Sequence, residues 1–352
     1  MVRKLSIGLV ISLIGLILSL GAIEIAVRFF ESRTTAAKTW SDRPPFYFQH
    51  EGSPTLKDFP YSAQKPADTF RVAVIGDSYS FAPYMQFTDA FPKVLERMLN
   101  LNAVPMRGEV INFGVPGYST SHEIEEVDKA LAMGADVVVL QITLNDPELK
   151  PYRPTGIREF NRFGAYEASE RQRALFHYWH SLKFVVERLH NNKTRDEYTK
   201  YFLDLFEKPK SRESFESSVK EISRKTKEAN ARLVAVVFPL FGLPLDEEYP
   251  FTPIHNQVAR FLSANDIPNL DLFSLYAGIP LDRLQVIPGG DRHPNEIAHR
   301  MAGERIYQWL SENSWIPKDL VIRKRFTGRT QIVKEKPYVD SSASTLPTSS
   351  EK

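Results

Sequence analysis

The chain has 352 residues, and its 45 basic and 43 acidic side chains leave a net charge of +2. This near balance argues against a nucleic-acid-binding protein, which would carry a clustered basic surface. The absence of cysteine excludes disulfide bonds and thiolate metal sites. An apolar content of 42% is typical of a globular protein with a substantial core.

The first 30 residues form a long apolar segment. Residues 5–23 carry no charge, and about 20 apolar residues are enough to cross a bilayer. The tripeptide that ends this run is a poor match to the small-residue site at which signal peptides are cleaved. Residues 1–30 are therefore predicted to be an uncleaved, single-pass signal anchor, with a cleaved signal peptide as the alternative. Arg3 and Lys4 favour an amino terminus inside the cell and a body outside it.

Two segments of different composition flank the central region. Residues 31–69 contain several prolines that interrupt any long periodic pattern, and they are predicted to be a stalk. Their aromatic residues indicate that the stalk packs in part on the folded body. Residues 318–352 contain eight basic and four acidic residues and end in a Ser/Thr-rich stretch. They are predicted to be a disordered tail, which leaves the folded domain between residues 70 and 317.

Strands and helices alternate within this central region. Short apolar runs rich in β-branched residues are typical of buried parallel strands. Helices are predicted to follow them, and Thr120 and Glu123 have the spacing of a capping box at the start of one helix. The alternation predicts a parallel sheet covered by helices on both faces. The predicted strands are 70–75, 109–113, 137–142, 233–238 and, more weakly, 268–272, and the helices begin near residues 89, 120, 212, 253 and 294.

Residues 147–231 are too long for a simple crossover between two strands. Helices are predicted at 167–190, 195–206 and 212–229, and the segment is a candidate cap over a site, where substrate choice would be decided. The aromatic and apolar stripe between residues 178 and 185 is interpreted as core packing, with the lining of a pocket as the alternative.

The first candidate functional residue is Ser78. Gly76 permits a sharp turn directly after the first strand, so Ser78 follows the carboxyl end of that strand, the edge at which open α/β sheets bind ligands. A serine at this edge is a candidate nucleophile if a base and an oxyanion site converge on it. An ordinary turn is the alternative, since Gly, Asp and Ser are common turn residues.

Two later strand ends provide candidate oxyanion donors. Gly114 and Gly117 follow the second strand, and the backbone N–H of Gly117 is a candidate donor to a developing oxyanion. Asn145 follows the third strand, and its side-chain amide can donate in the same way. The alternatives are turn formation by the glycines and capping by Asn145 or Asp146.

The candidate base lies in the Gly- and Pro-rich loop before the last helix. Histidine titrates near neutrality and is the usual general base, which makes His293 the first choice. Asp291 can accept the Nδ1 proton of His293 and orient the ring. His299, within the following helix, is the weaker alternative.

These four places, in this order along successive strand ends, resemble the SGNH/GDSL family of serine esterases and lipases over about residues 70–310. The resemblance implies a three-layer α/β/α sandwich with a five-stranded, flavodoxin-like parallel sheet. It implies that Ser78 is the nucleophile and His293 its base. It also implies an oxyanion hole made by the N–H groups of Ser78 and Gly117 and by the amide of Asn145.

Two departures from the family pattern affect the site. Thr143 replaces the usual glycine of the third block and is expected to narrow the site beside Asn145. The family's acid usually lies three residues before the histidine, where this chain has Gly290. Asp291, two residues before the histidine, is predicted to replace it, with Asp282, a backbone carbonyl or a Ser-His dyad as the alternatives.

The expected function is ester hydrolysis by a membrane-anchored, extracytoplasmic serine esterase that forms an acyl-enzyme. The expected substrate is an acetyl ester of a cell-envelope glycan or a lipid ester. One alternative is an O-acyltransferase of the same fold that acts on an envelope polysaccharide. The other is a non-catalytic envelope protein that retains the fold. No metal, organic cofactor or nucleic-acid partner is implied.

Overall fold

The computed structural model describes residues 2–34, 55, 57–102, 104–149, 168–288 and 291–322. An N-terminal helix, α1, precedes a body in which strands and helices alternate. The strands are β1 (Thr69–Gly76), β2 (Arg107–Gly114), β3 (Val137–Ile142), β4 (Arg232–Val237) and β5 (Asn269–Asp271).

The helices match the predicted pattern except in the long segment between β3 and β4. There α6 runs without interruption across the predicted gap at residues 191–194, because no glycine or proline interrupts it. The chain breaks instead at Trp179, where a non-helical residue separates two helices. The helices are α1 (Val2–Thr34), α2 (Ser78–Phe81), α3 (Phe91–Leu99), α4 (Thr120–Ala132), α5 (Glu170–Tyr178), α6 (His180–Glu207), α7 (Pro209–Glu228), α8 (Thr252–Ala264), α9 (Phe273–Tyr276) and α10 (Glu296–Glu312).

The five strands form one parallel sheet in the order β2-β1-β3-β4-β5. This is the flavodoxin-like doubly wound order, and β3 is buried along its whole length because helices cover both faces. Right-handed crossovers place α3 on one face and α4, α7 and α8 on the other. Since α10 packs on α3 and α7 packs on α4, the body has three layers. The predicted α/β/α sandwich is confirmed.

The additional segment between β3 and β4 is shorter than predicted. The last of its three helices, α7, packs on α4 and leads directly into β4, so it is the crossover helix of the sheet. Only α5 and α6 are additions to the sandwich among the described residues. Residues 150–167, which belong to the predicted cap, lie outside the described residues.

Both ends of the body extend beyond the predicted limits of 70 and 317. Asp58 is fully buried and forms an ion pair with Lys93 at 2.8 Å. Leu320 is also fully buried, and its carbonyl accepts a hydrogen bond from the Tyr307 hydroxyl at 3.0 Å. The last part of the predicted stalk and the first part of the predicted tail therefore pack on the body. The remainder of both segments lies outside the described residues.

Within the described residues, α1 is the helix that is long and apolar enough to cross a membrane. Its segment Val10–Phe30 has a mean hydropathy of 2.4, and its side chains are not buried. A signal sequence meets the same criterion, so anchorage in a membrane stays a prediction.

A buried ion pair joins the two neighbouring strands β1 and β2. Arg71 and Glu109 are paired across the strands, with Nη2 and Oε2 2.6 Å apart. We expect Glu109→Gln to lower the free energy of unfolding by about 3 kcal/mol or more, because Arg71 loses its countercharge in a buried position. The surface pair of Lys225 and Asp128 provides a matched control, since Asp128→Asn should cost less than about 1 kcal/mol. Equal losses in urea titrations of the two variants would contradict the prediction.

Candidate active site

Ser78 lies where β1 ends and the short helix α2 begins. Gly76 is the last residue of β1, and the Gln141 side chain and the Ser80 hydroxyl occupy the space that a side chain at this position would take. Asp77 then caps α2 by accepting the N–H of Tyr79 at 2.9 Å. The turn and the cap together place Ser78 at the carboxyl edge of the sheet.

The structure brings Ser78, His293 and Asp291 together. The Nε2 atom of His293 lies 2.9 Å from the Ser78 Oγ atom, and its Nδ1 atom lies 2.6 Å from the Asp291 Oδ1 atom. The same carboxylate oxygen accepts the backbone N–H of His293 at 2.9 Å. A spacing of two residues is therefore compatible with a Ser-His-Asp arrangement, because the local turn directs the carboxylate at the ring.

The alternative histidine has a structural position. His299 is fully buried in α10, and its Nδ1 atom accepts the N–H of Phe91 at 3.1 Å. Burial, then the nearby positive charges, lower its pKa to about 3. His299 is therefore neutral at physiological pH and connects α10 to α3.

The electrostatics of the pair favour a charged Asp291 and a His293 that readily accepts a proton. Burial disfavours the imidazolium, but the charge of Asp291 and the hydrogen bond to it outweigh burial and raise the pKa of His293. Burial also opposes ionisation of Asp291, but the charge of His293 and its two hydrogen bonds lower the pKa of that carboxyl. An imidazole tuned in this way is suited to general base catalysis near neutral pH.

Asn145 and Thr143 are held together by Asp77. The Asn145 Nδ2 atom donates to the Asp77 Oδ2 atom at 2.8 Å, and the Thr143 hydroxyl lies 2.9 Å from the same oxygen. The Thr143 hydroxyl also contacts the side-chain amide oxygen, Oδ1, of Asn145. An amide nitrogen has two hydrogens, so the bond to Asp77 fixes the amide and leaves its second hydrogen for a ligand. Thr143 thus positions Asn145, a role that the sequence did not predict.

The loop after β2 is hydrogen-bonded to the end of β1. The N–H of Val115 donates to the Gly76 carbonyl at 3.0 Å, and a side chain at Gly114 would lie 2.5 Å from the backbone nitrogen of Phe81. Gly117 has a positive φ of 77°, which glycine adopts without strain. These contacts place the loop beside α2, whereas the role of Gly117 as an oxyanion donor stays a prediction.

A buried group of carboxylates beneath these residues was missed by sequence reasoning. Asp146 accepts the Thr120 hydroxyl at 2.7 Å and the N–H of Thr143 at 2.5 Å. Glu123 is fully buried, and neither of its carboxylate oxygens has a hydrogen-bond partner among the described residues. Burial, followed by the charges of Asp146 and Asp77, raises the pKa of Glu123 well above its ordinary value, which favours the neutral form of this carboxyl.

The predicted capping box at the start of α4 is wrong. Ser119, rather than Thr120, is the residue before the helix. Thr120 lies one position further along and directs its hydroxyl at Asp146, and Glu123 faces the interior. Sequence spacing alone does not distinguish a cap from this buried arrangement.

The inserted helix α6 contacts the loop that holds His293. The guanidinium of Arg292 stacks over the ring of the buried Tyr198 at 4.9 Å. Gly242 lies against the same ring, where a side chain would approach the Tyr198 hydroxyl to 2.5 Å. The end of α5 and the first part of α6 are different, because the predicted stripe from Tyr178 in α5 to Phe184 and Val185 in α6 is exposed. Its interpretation as core packing is therefore wrong.

No protein-family model and no curated protein matches this chain. Matches to solved structures include a lipolytic protein of the G-D-S-L family from Desulfitobacterium hafniense, with 14% identity and a TM-score of 0.40 over 68% of this chain and 98% of that one. An acetyl xylan esterase, AlAXEase, has 16% identity and a TM-score of 0.43 over 68% of this chain and 100% of that one. The esterase EstA from Pseudoalteromonas has 13% identity and a TM-score of 0.40 over 70% and 99%. Sequence identities and TM-scores this low do not establish the function of the chain, and the geometry of its own site is the evidence for that function.

Proposed function

We propose that this chain is a serine esterase that hydrolyses carboxylic esters with Ser78 as the nucleophile. The observation behind the proposal is the continuous hydrogen-bonded series from Ser78 through His293 to Asp291, with distances of 2.9 Å and 2.6 Å. A serine hydroxyl is a weak nucleophile unless an adjacent base removes its proton, and His293 is that base here. Asp291 holds the ring and stabilises the imidazolium that forms.

The reaction proceeds through two acyl transfers. The Ser78 Oγ atom bonds to the ester carbonyl carbon as its proton passes to His293, and the tetrahedral oxyanion accepts hydrogen bonds from Asn145 and from the N–H groups of Ser78 and Gly117. The C–O bond to the alcohol breaks, and the alcohol leaves with the proton from His293. Water, deprotonated by His293, then attacks the acyl-enzyme and releases the acid and free Ser78.

The proposed location is the extracytoplasmic face of a membrane, with α1 as a single-pass anchor. The length and hydropathy of Val10–Phe30 support this location. The proposed substrate is an ester-bearing envelope glycan, with a lipid ester as the second choice. A panel of acetylated glycans and of acyl esters of different chain length, presented to the full chain in detergent, distinguishes the two.

The test of the proposal is covalent labelling with a fluorophosphonate. The full chain should acquire one adduct that maps by mass spectrometry to Ser78, and His293→Ala should abolish it. Ser119 is a matched control, because its hydroxyl lies 2.8 Å from the Nδ1 atom of His122 in a second Ser–His contact, but the serine is buried. Ser119→Ala should label normally. A folded protein that is not labelled at Ser78 would refute the proposal.

The amide of Asn145 has its own predicted effect. We expect Asn145→Ala to lower kcat by about 10²–10³-fold with a small change in KM, because the donor acts on charge that develops in the transition state. Asn265→Ala is the control, since that amide donates to a backbone carbonyl within α8 and should leave kcat unchanged. A change confined to KM would place Asn145 in substrate binding instead.

A further inference from the structure

The corner between α5 and α6 exposes an unusual amount of apolar surface. Six large side chains within 15 residues of sequence are between 47% and 70% exposed. Soluble proteins seldom expose apolar surface of this size unless it contacts a partner or a membrane. We refer to this set as the corner patch, and its members are Leu175, Tyr178, Trp179, Phe184, Val185 and Leu189.

The corner is fixed to the anchor helix by hydrogen bonds. The carboxylate of Glu24 accepts the N–H groups of His180 and Ser181 at 2.8 Å each, at the N-terminus of α6. Arg28, one turn further along α1, pairs with Glu24 and donates to the Tyr178 carbonyl at 2.8 Å. A carboxylate at a helix N-terminus is favourable because it satisfies free N–H groups and opposes the helix dipole. These contacts fix the corner at the position of Glu24 along α1.

The position of Glu24 corresponds to one surface of a bilayer. Because Val10–Phe30 contains Glu24 and Arg28, the uncharged run 5–23 is the better candidate for the segment inside the hydrocarbon core. Its 19 residues span about 28 Å as a helix, which matches the roughly 30 Å of a hydrocarbon core. Glu24 and Arg28 are the first charged residues after this run. Both therefore lie at the level of the lipid headgroups when α1 crosses the membrane.

We infer that the corner patch lies in the headgroup region of the membrane that α1 spans, so that the body binds the bilayer at a second place. Tyr and Trp are enriched at this depth because each combines an apolar ring with a polar group. Residues 170–189 also contain four Arg or Lys side chains and two Glu side chains, which suits a surface of anionic phospholipid. The inference depends on the proposed anchorage by α1 and is independent of ester hydrolysis.

The absence of native cysteine allows a direct test on the full chain in bilayers that contain phosphatidylglycerol. Single cysteines are introduced by Phe184→Cys in the corner patch, by Leu16→Cys in the middle of α1 and by Arg300→Cys on α10, and each is labelled with an environment-sensitive fluorophore. Arg300 is the control, because it is exposed on the opposite face of the sandwich. Unchanged unfolding midpoints verify that each labelled variant is folded.

The inference predicts that lipids brominated near the headgroups quench the label at position 184 several-fold more than the label at 300. Iodide in the aqueous phase should quench the label at position 300 but not the label at position 184. Iodide quenching at 184 equal to that at 300 would overturn the inference, provided that the label at 16 is quenched by lipid. Protection of position 184 from both quenchers would also overturn it, because a protein surface, such as a second copy of the chain, would then cover the patch. A label at 16 that lipid does not quench would refute the anchorage itself.

Discussion

Ser78→Ala should reduce the hydrolysis of a simple aryl ester by about five to six orders of magnitude. The loss is this large because the variant has no atom that can form the acyl-enzyme, and the contact of His293 with the Ser78 Oγ atom is removed at the same time. Initial rates with the full chain in detergent, measured over a wide range of enzyme concentration, check the prediction.

The fold should tolerate this substitution. Ser78 lies in the first turn of α2, where the helix is capped by Asp77 rather than by Ser78. We therefore expect the free energy of unfolding to change by less than about 0.5–1 kcal/mol. A folded variant that retains more than a few per cent of the activity would exclude Ser78 as the nucleophile.

Asp291→Asn should change both the rate and its pH dependence. In the native chain His293 must be neutral to act as a base, and its raised pKa moves the acid limb of the kcat/KM profile to higher pH than an ordinary histidine would give. Removal of the carboxylate charge withdraws the stabilisation of the imidazolium, so the pKa of His293 falls and the acid limb moves to lower pH. The plateau of kcat should fall by about 10²–10⁴-fold, because the ring is no longer held in the productive orientation.

Asp282→Asn is the matched control for this experiment. Asp282 is an exposed carboxyl in the short turn Leu281–Arg283, and it was an alternative acid in the sequence pattern. Asp282→Asn should leave unchanged both the plateau of kcat and the pH of the acid limb. If Asp291→Asn lowers the plateau by less than tenfold and leaves the limb in place, the site works as a Ser-His dyad.

The sheet could be predicted because each strand is a local pattern. Buried parallel strands are continuous apolar runs, and the β1, β2 and β3 runs end in residues that turn sharply. The edge at which these strands end indicated that Ser78, Gly117 and Asn145 would lie near one another. The approach of His293 to Ser78, 215 positions apart, was implied by the family resemblance, because His293 lies in the loop before α10 and not at the end of a strand. Parallel strands bring their carboxyl ends to one edge whatever their separation in sequence.

The contacts beneath the site could not be predicted in the same way. Asp77, Thr143 and Asp146 each fit a turn or cap by sequence, and only their positions in space show that they form one hydrogen-bonded group. Burial of Glu123 without a hydrogen-bond partner among the described residues contradicts the usual rule for a carboxyl. Side-chain direction within a turn depends on tertiary packing, and that information is absent from local spacing.

With α1 in a bilayer, the length of α6 limits the distance between the membrane and the loop that holds His293. The first turn of α6 is hydrogen-bonded to α1, and Tyr198, 18 residues later, contacts the residue before His293. A straight helix of that length measures about 27 Å, which is an upper limit on the distance between these two points. With α1 in a bilayer, the loop that holds His293 would then lie within about 3 nm of the lipid surface. An ester-bearing polymer would have to approach the membrane to a comparable distance to reach the site.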